Sequence, residues 1–176
     1  KSKQETQTGI WFGGFNPFAT YSIDLNFCSG NGAIGFEFSD AKKEKQFLVK
    51  IGFNDSILTG VNLSIINNSQ TIADISIAVN TIERMKGKII LQMLGGGLTL
   101  YLQDKGLPKV IAQSDFNTWL DLRNKVYLHT FRSNLFVQLN QGEVHIKKVK
   151  MAFTTGIGLA DIRAITYENG DPLLDR

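Results

Sequence analysis

The sequence is poor in the residues that build metal and redox centres. It has one Cys and two His in 176 residues. A lone cysteine, Cys28, forms no internal disulfide and no CxxC pair, so cysteine usage leaves the compartment open. It lies in the apolar run 23–28 and reads as a small buried hydrophobe. His129 and His145 fall on what read as neighbouring strands. A metal site needs three or four ligands, and no Asp, Glu or His cluster joins them. They are expected as ordinary face residues, with no metal and no cofactor. No run of about 18 apolar residues occurs, so no membrane-spanning helix is expected. There is no G-x-S-x-G elbow and no P-loop. Gly95-Gly96-Gly97 lacks a following helix and reads as a hairpin turn rather than a phosphate cradle. No catalytic residue is identified.

What is plentiful points to strands. Phe is common (12), Gly frequent (17) and Pro scarce (3). Ile, Val and Thr are abundant, a mixture that suits a pleated, half-buried surface. A chain of this length buries about 70% of its unfolded surface without staples. The net charge is +3. Its basic clusters, Lys42-Lys43-Lys45 and Lys147-Lys148-Lys150, lack interleaved aromatics. A nucleic-acid binder combines a basic stripe with a stacking platform, so the lysines read as a solvated surface and no nucleic-acid partner is expected.

Along the chain, residues 1–9 are polar and expected as a flexible N-terminal segment. Thr20–Cys28 alternates, Gly30-Asn31-Gly32 reads as a turn, and Ala33–Phe38 returns as the second half of a hairpin. Residues 40–45 form a charged loop. Strands are expected over 47–53, 58–66, 71–79, 88–94, 98–102 and 110–113. Residues 81–86 read as a helical turn or loop. Residues 114–122 read as a short helix with Ser114 or Asp115 as N-cap. Lys125–Val149 reads as three strands of a meander, with Gln141-Gly142 as its second turn, and Gly158–Glu168 as the last strand. About twelve short strands and no long helix predict an all-β, two-sheet antiparallel β-sandwich. It spans residues 10–168, with 169–176 as a C-terminal tail or a linker to a further domain.

The later half carries a resemblance. Ile89-Ile90-Leu91 is followed by Gly97-Leu98-Thr99-Leu100-Tyr101. Then come Asn134 to Val144 (NLFVQLNQGEV) and Gly156-Ile157-Gly158-Leu159. This order resembles the concanavalin A-like lectin/glucanase jelly rolls over residues 88–168. The resemblance implies two packed antiparallel sheets, one curved, often with a carbohydrate-binding concave face. It also implies a secreted, periplasmic or cell-surface protein. Glucanases of this fold carry an E-x-D-x-E strand motif that is missing here, so their activity is not carried over.

Glycoside hydrolysis needs two carboxylates about 5–10 Å apart. Asp24, Glu37, Asp74 and Glu143 lie on or beside strands and read as polar residues of wet faces. Sugar binding needs a flat aromatic with hydroxyl-binding neighbours. Trp11, Tyr21, Tyr101, Trp119 and Tyr127 are the aromatic candidates. Trp119, beside Asn117, leads them, and its alternative role is a lid on the sandwich core. The expected ligand-binding set is Trp119, Trp11, Tyr101, Tyr127 and Asn117. The function this supports is a non-catalytic carbohydrate-binding or accessory module of a secreted glycan-processing protein. Its partners are an oligo- or polysaccharide or a neighbouring domain. A glycoside hydrolase of the same fold, and a structural or adhesion module, are the alternatives.

Overall fold

Alternation carries the strands. In the stretch FLVKIGF, Phe47, Val49, Ile51 and Phe53 are fully buried while Lys50 reaches the surface. The computed structural model describes residues 6–79, 83–94, 96–120 and 128–153. Its nine strands are β1 (Thr6–Gly14), β2 (Ala19–Ser39), β3 (Gln46–Asn54), β4 (Ile57–Asn67), β5 (Gln70–Ile77), β6 (Gly87–Leu94), β7 (Gly97–Gln103), β8 (Lys109–Asp115) and β9 (Arg132–Phe153). All pair antiparallel. Two connections are tight: Asp55-Ser56 joins β3 to β4 and Asn68-Ser69 joins β4 to β5. All four residues take positive φ (45, 68, 50 and 61), the two-residue geometry that matches strand twist. Asn and Asp tolerate that conformation, which is why these turns are legible in the sequence.

Two expected hairpins are absent. Gly30-Asn31-Gly32 and Gln141-Gly142 lie inside single strands, β2 of 21 residues and β9 of 22. The two strands pair from Ala19↔Phe153 to Ser39↔Arg132, with Gly30 opposite Gly142. Both glycines have left-handed φ, 71 and 136. A Cβ on Gly30 would stand 2.0 Å from the Gln141 carbonyl oxygen, and one on Gly142 would stand 2.0 Å from that of Ser29. Register shifts at Asp24/Leu25, Leu25/Phe27 and Asn31/Gly32 flank the pair. Bulges and glycines let paired strands bend together. The glycines therefore mark a shared corner, not two reversals.

The corner makes the sandwich. Tyr21 and Phe38 lie on one strand, yet their ring centroids are 4.8 Å apart. Straight, that stretch of β2 would span roughly 56 Å. Strand β2 folds back so that its two halves face each other. One layer holds β1, the first half of β9, the second half of β2, β3, β4 and β5. The other holds the second half of β9, the first half of β2, β6, β7 and β8. Tyr21, Phe36, Phe38, Phe47 and Phe116 fill the space between.

Other expectations are revised locally. The first strand of the expected meander is not formed where it is described. Leu128–Thr130 turn instead, and the Phe131 amide donates to the Leu128 carbonyl at 3.0 Å. Residues 121–127 and the expected last strand, Gly158–Glu168, lie outside the described residues. Strand β1 begins at Thr6, within the segment expected as flexible, and pairs with β9 at Leu139. Of the expected helix over 114–122, Ser114 and Asp115 belong to strand β8, residues 116–120 make one helical turn, and 121–122 lie outside the described residues.

Glu37 and the Tyr21 hydroxyl, both buried, are answered by neighbours. Glu37 is 2% exposed on the outer side of the first layer. Lys43 Nζ lies 2.9 Å from its Oε1, and Ser39 Oγ donates to it at 3.2 Å. The Tyr21 hydroxyl accepts from the Asn16 amide at 2.7 Å and donates to the Asn16 carbonyl at 2.9 Å. Burial pushes the Tyr21 phenol above its ordinary range against these hydrogen bonds. Burial likewise raises the Cys28 thiol, against a hydrogen bond from Ser56.

Two predictions follow from the corner and the core. Gly30→Ala or Gly142→Ala should each cost about 3 kcal/mol, strain and backbone collision together, read from urea midpoints. Gly106→Ala, with φ 72 but open space around it, should cost only the conformational part, about 1 kcal/mol. Equal losses at all three would refute the corner. Raised thiol and phenol values place their stabilising effect below about pH 8.5 and remove it as pH climbs through the folded-state values. The urea midpoint should therefore fall between about pH 8 and about pH 11, and less so in Tyr21→Phe.

Candidate functional site

Strand β7 sends Leu98, Leu100 and Leu102 into the core and Thr99, Tyr101 and Gln103 to the outer face of the second layer. On β8, Gln113 sits opposite Thr99 and its Nε2 donates to Thr99 Oγ1 at 3.2 Å. The Tyr101 hydroxyl donates to Gln92 Oε1 at 3.1 Å. Past β8 the Phe116 amide donates to the Gly96 carbonyl at 2.9 Å. Asp115 Oδ1 accepts from the Asn117 amide at 2.9 Å, which caps the turn. The Leu120 amide donates to the Phe116 carbonyl at 3.0 Å. Phe116 and Leu120, one turn apart, enter the core, so Asn117 and Trp119 are left outside. The result is an open groove of about 490 Å³ between the β6–β7 turn and β8. Thr99, Gln113, Ser114, Asp115 and Asn117 line it, with Leu94 as an apolar wall. Asn117 packs against Gly96, where a Cβ would stand 1.8 Å from its Oδ1.

The expected ligand residues scatter in part. Asn117 lines the groove and Trp119, 41% exposed, stands on the turn beside it. The lid on the core is Phe116 with Leu120, not Trp119. Tyr101 lies on the same outer face, two positions along β7 from Thr99. Trp11, 65% exposed, is on β1 at the opposite edge of the molecule, where its Nε1 donates to the Gly13 carbonyl at 2.8 Å. Tyr127 lies outside the described residues, and Tyr21 is core. Thr99, Gln113, Ser114 and Asp115 are outside the expected ligand-binding set, Ser114 and Asp115 standing in the sequence only as alternative N-caps. Period-two alternation puts Thr99 on the outer face of β7 and Gln113 and Asp115 on that of β8, and Ser114, opposite Leu98, lines the groove from the end of β8; only strand pairing brings them together.

Each carboxylate weighed for catalysis has a neighbour. Asp24 lies 3.9 Å from Lys88, Glu37 is held by Lys43, Asp74 accepts from Asn62 at 2.7 Å, and Glu143 lies 2.7 Å from His145. The His145 ring stacks on Phe27 at 4.5 Å. Among the described residues no three His, Cys, Asp or Glu side chains gather as a metal site, and no helix is long and apolar enough to cross a membrane.

No protein-family model and no curated protein matches the chain. Among solved structures it is similar to sheep galectin-11 in complex with glycerol, at TM-score 0.53 and 12% identity, covering 86% of this chain and 100% of that one. The fold is a concanavalin A-like jelly roll. Chicken galectin 2 follows at TM-score 0.49 and 14% identity, over 82% of this chain and 97% of that one. The carbohydrate binding module CBM66 from Bacillus subtilis gives 0.43 and 15%, over 86% and 83%.

The groove offers amides, hydroxyls and one carboxylate at short spacing, with an indole beside them. Such a set presents donors and acceptors in several directions, the chemistry that a polyhydroxylated molecule complements. Asp115→Ala should cost about 1 kcal/mol by uncapping the turn. In a Trp11→Phe background, Trp119 emission should change with it; an unaltered spectrum and urea midpoint would show that Asp115 does not hold the turn.

Proposed function

We propose that the chain is a non-catalytic carbohydrate-binding or accessory module of a secreted glycan-processing protein, working at the cell surface, in the periplasm or outside the cell. An oligo- or polysaccharide lies in the groove between the β6–β7 turn and β8. Gln113, Asn117 and Ser114 meet its hydroxyls, and Trp119 stacks on a sugar face.

One observation carries the reading: hydrogen-bonding side chains, neutral but for Asp115, line an open groove beside a solvent-exposed indole. Sugars present donors and acceptors around a ring with apolar C–H faces, which is the complement of that surface. The galectin likeness in fold supports it.

Affinity electrophoresis against a panel of polysaccharides tests the proposal. At least one should retard the chain. Asn117→Ala and Gln113→Ala should each weaken binding about tenfold, the loss of one hydrogen-bonding anchor. Trp119→Ala should weaken it at least as much. Free migration in every polysaccharide, with circular dichroism showing an intact β fold, would sink the reading.

A further inference from the structure

A second groove opens at the other end of the same outer face. Asp24, Gly87, Lys88, Gln103, Lys105 and Lys147 are among its lining residues, and its volume is about 330 Å³. The two grooves share strand β7. Thr99 of the first and Gln103 of the second lie four positions apart, roughly 13 Å along the strand. Tyr101 stands between them on the same face.

Strand pairing concentrates positive charge here. Lys148 on β9, Asp24 on β2, Lys88 on β6 and Gln103 on β7 form one cross-strand row, with Lys150 opposite Ser22 in the next. Asp24 pairs with Lys148 while Leu25 pairs with Ile146, so Lys147 is an extra residue in β9. Such a bulge re-aims a side chain. It brings Lys147 into the groove although Lys148, its neighbour in sequence, already belongs to that face.

The acids nearby leave this charge unbalanced. Lys88 lies 3.9 Å from Asp24 and Lys86 3.9 Å from Asp104, contacts too long for hydrogen bonds. Asp24 Oδ1 has no hydrogen-bond partner. Three lysines (88, 105 and 147) and two aspartates (24 and 104) line the groove, and Lys148 and Lys150 on β9 and Lys86 beside Asp104 add positive charge around it. Lysines on a free strand edge also discourage strand pairing. Lys105 is in the β7–β8 loop and lines the same groove, which edge protection does not require.

We propose that this face takes an anionic glycan. Its hydroxyls lie in the Gln113–Asn117 groove, and a carboxylate or sulfate sits among Lys88, Lys105 and Lys147. The inference rests on the carbohydrate-binding reading and adds the charge of the ligand. Lysine suits it, because an ammonium on a long stem reaches an anion without demanding planar geometry.

The experiment compares neutral polysaccharides with their carboxylated and sulfated derivatives, by affinity electrophoresis and titration calorimetry at low and moderate salt. The charged forms should bind at least about tenfold more tightly at low salt, with the preference shrinking as salt screens it. The carboxylated and sulfated arms decide which anion is preferred. Lys147→Gln should lose about fivefold of the affinity for the charged form, and Lys105→Gln/Lys147→Gln most of the preference. Lys42→Gln, in the β2–β3 loop, removes one charge elsewhere and should change affinity less than twofold. Equal binding of neutral and charged forms overturns the proposal while the carbohydrate reading stands. A preference that survives the double variant, or that Lys42→Gln reduces equally, also overturns it. No binding to any polysaccharide overturns both.

Discussion

The structure depends on a close approach of two backbones. Gly30 and Gly142 face each other on β2 and β9, each where a single methyl group would collide with the partner's chain. Because neither carries a side chain, the two long strands stay hydrogen-bonded through the bend. One continuous sheet thus becomes both layers of the sandwich. Tyr21 and Phe38, distant along β2, meet in the core as a direct result. The layers need no separate recognition of each other, since they share two strands.

The grooves follow from that bend. Among the described residues it leaves the outer face of the β6–β7–β8 layer open. Phe116 and Leu120 pin the chain against the end of the core, and the same turn presents Asn117 and Trp119 to solvent. Burial and exposure on this turn are one event: the residues that seal the core orient the residues that meet a ligand. At the far end, a single bulged residue in β9 redirects Lys147.

Much of this was legible in the chain. Period-two alternation identifies the strand content, and the gaps left between the expected strands 47–53, 58–66 and 71–79 are where Asp55-Ser56 and Asn68-Ser69 make two tight turns. The glycines at 30 and 142 read as hairpin turns in the sequence and form a shared corner in the fold, because a glycine reports a change of direction without its kind. The run 125–131 alternates as a strand does, yet Leu128–Thr130 turn so that Phe131 and Leu128 reach the core. Of the site, Asn117 and Trp119 stood out as a polar segment carrying an indole. Thr99 and Gln113 did not, since each is an ordinary outer-face residue until pairing sets it beside the other, and Ser114 at the end of β8 reaches the groove only through that pairing.

The sequence by itself determined the class: many short alternating segments, few helical signals, and apolar faces that must be buried on one side. Its order of motifs also pointed to the jelly roll. Tertiary structure alone decided which segments are halves of one strand and which outer-face residues become neighbours. The reason is physical. Alternation is a property of one strand at a time, whereas register, corners and grooves arise from hydrogen bonds between segments that can lie more than 100 positions apart, as Gly30 and Gly142 do.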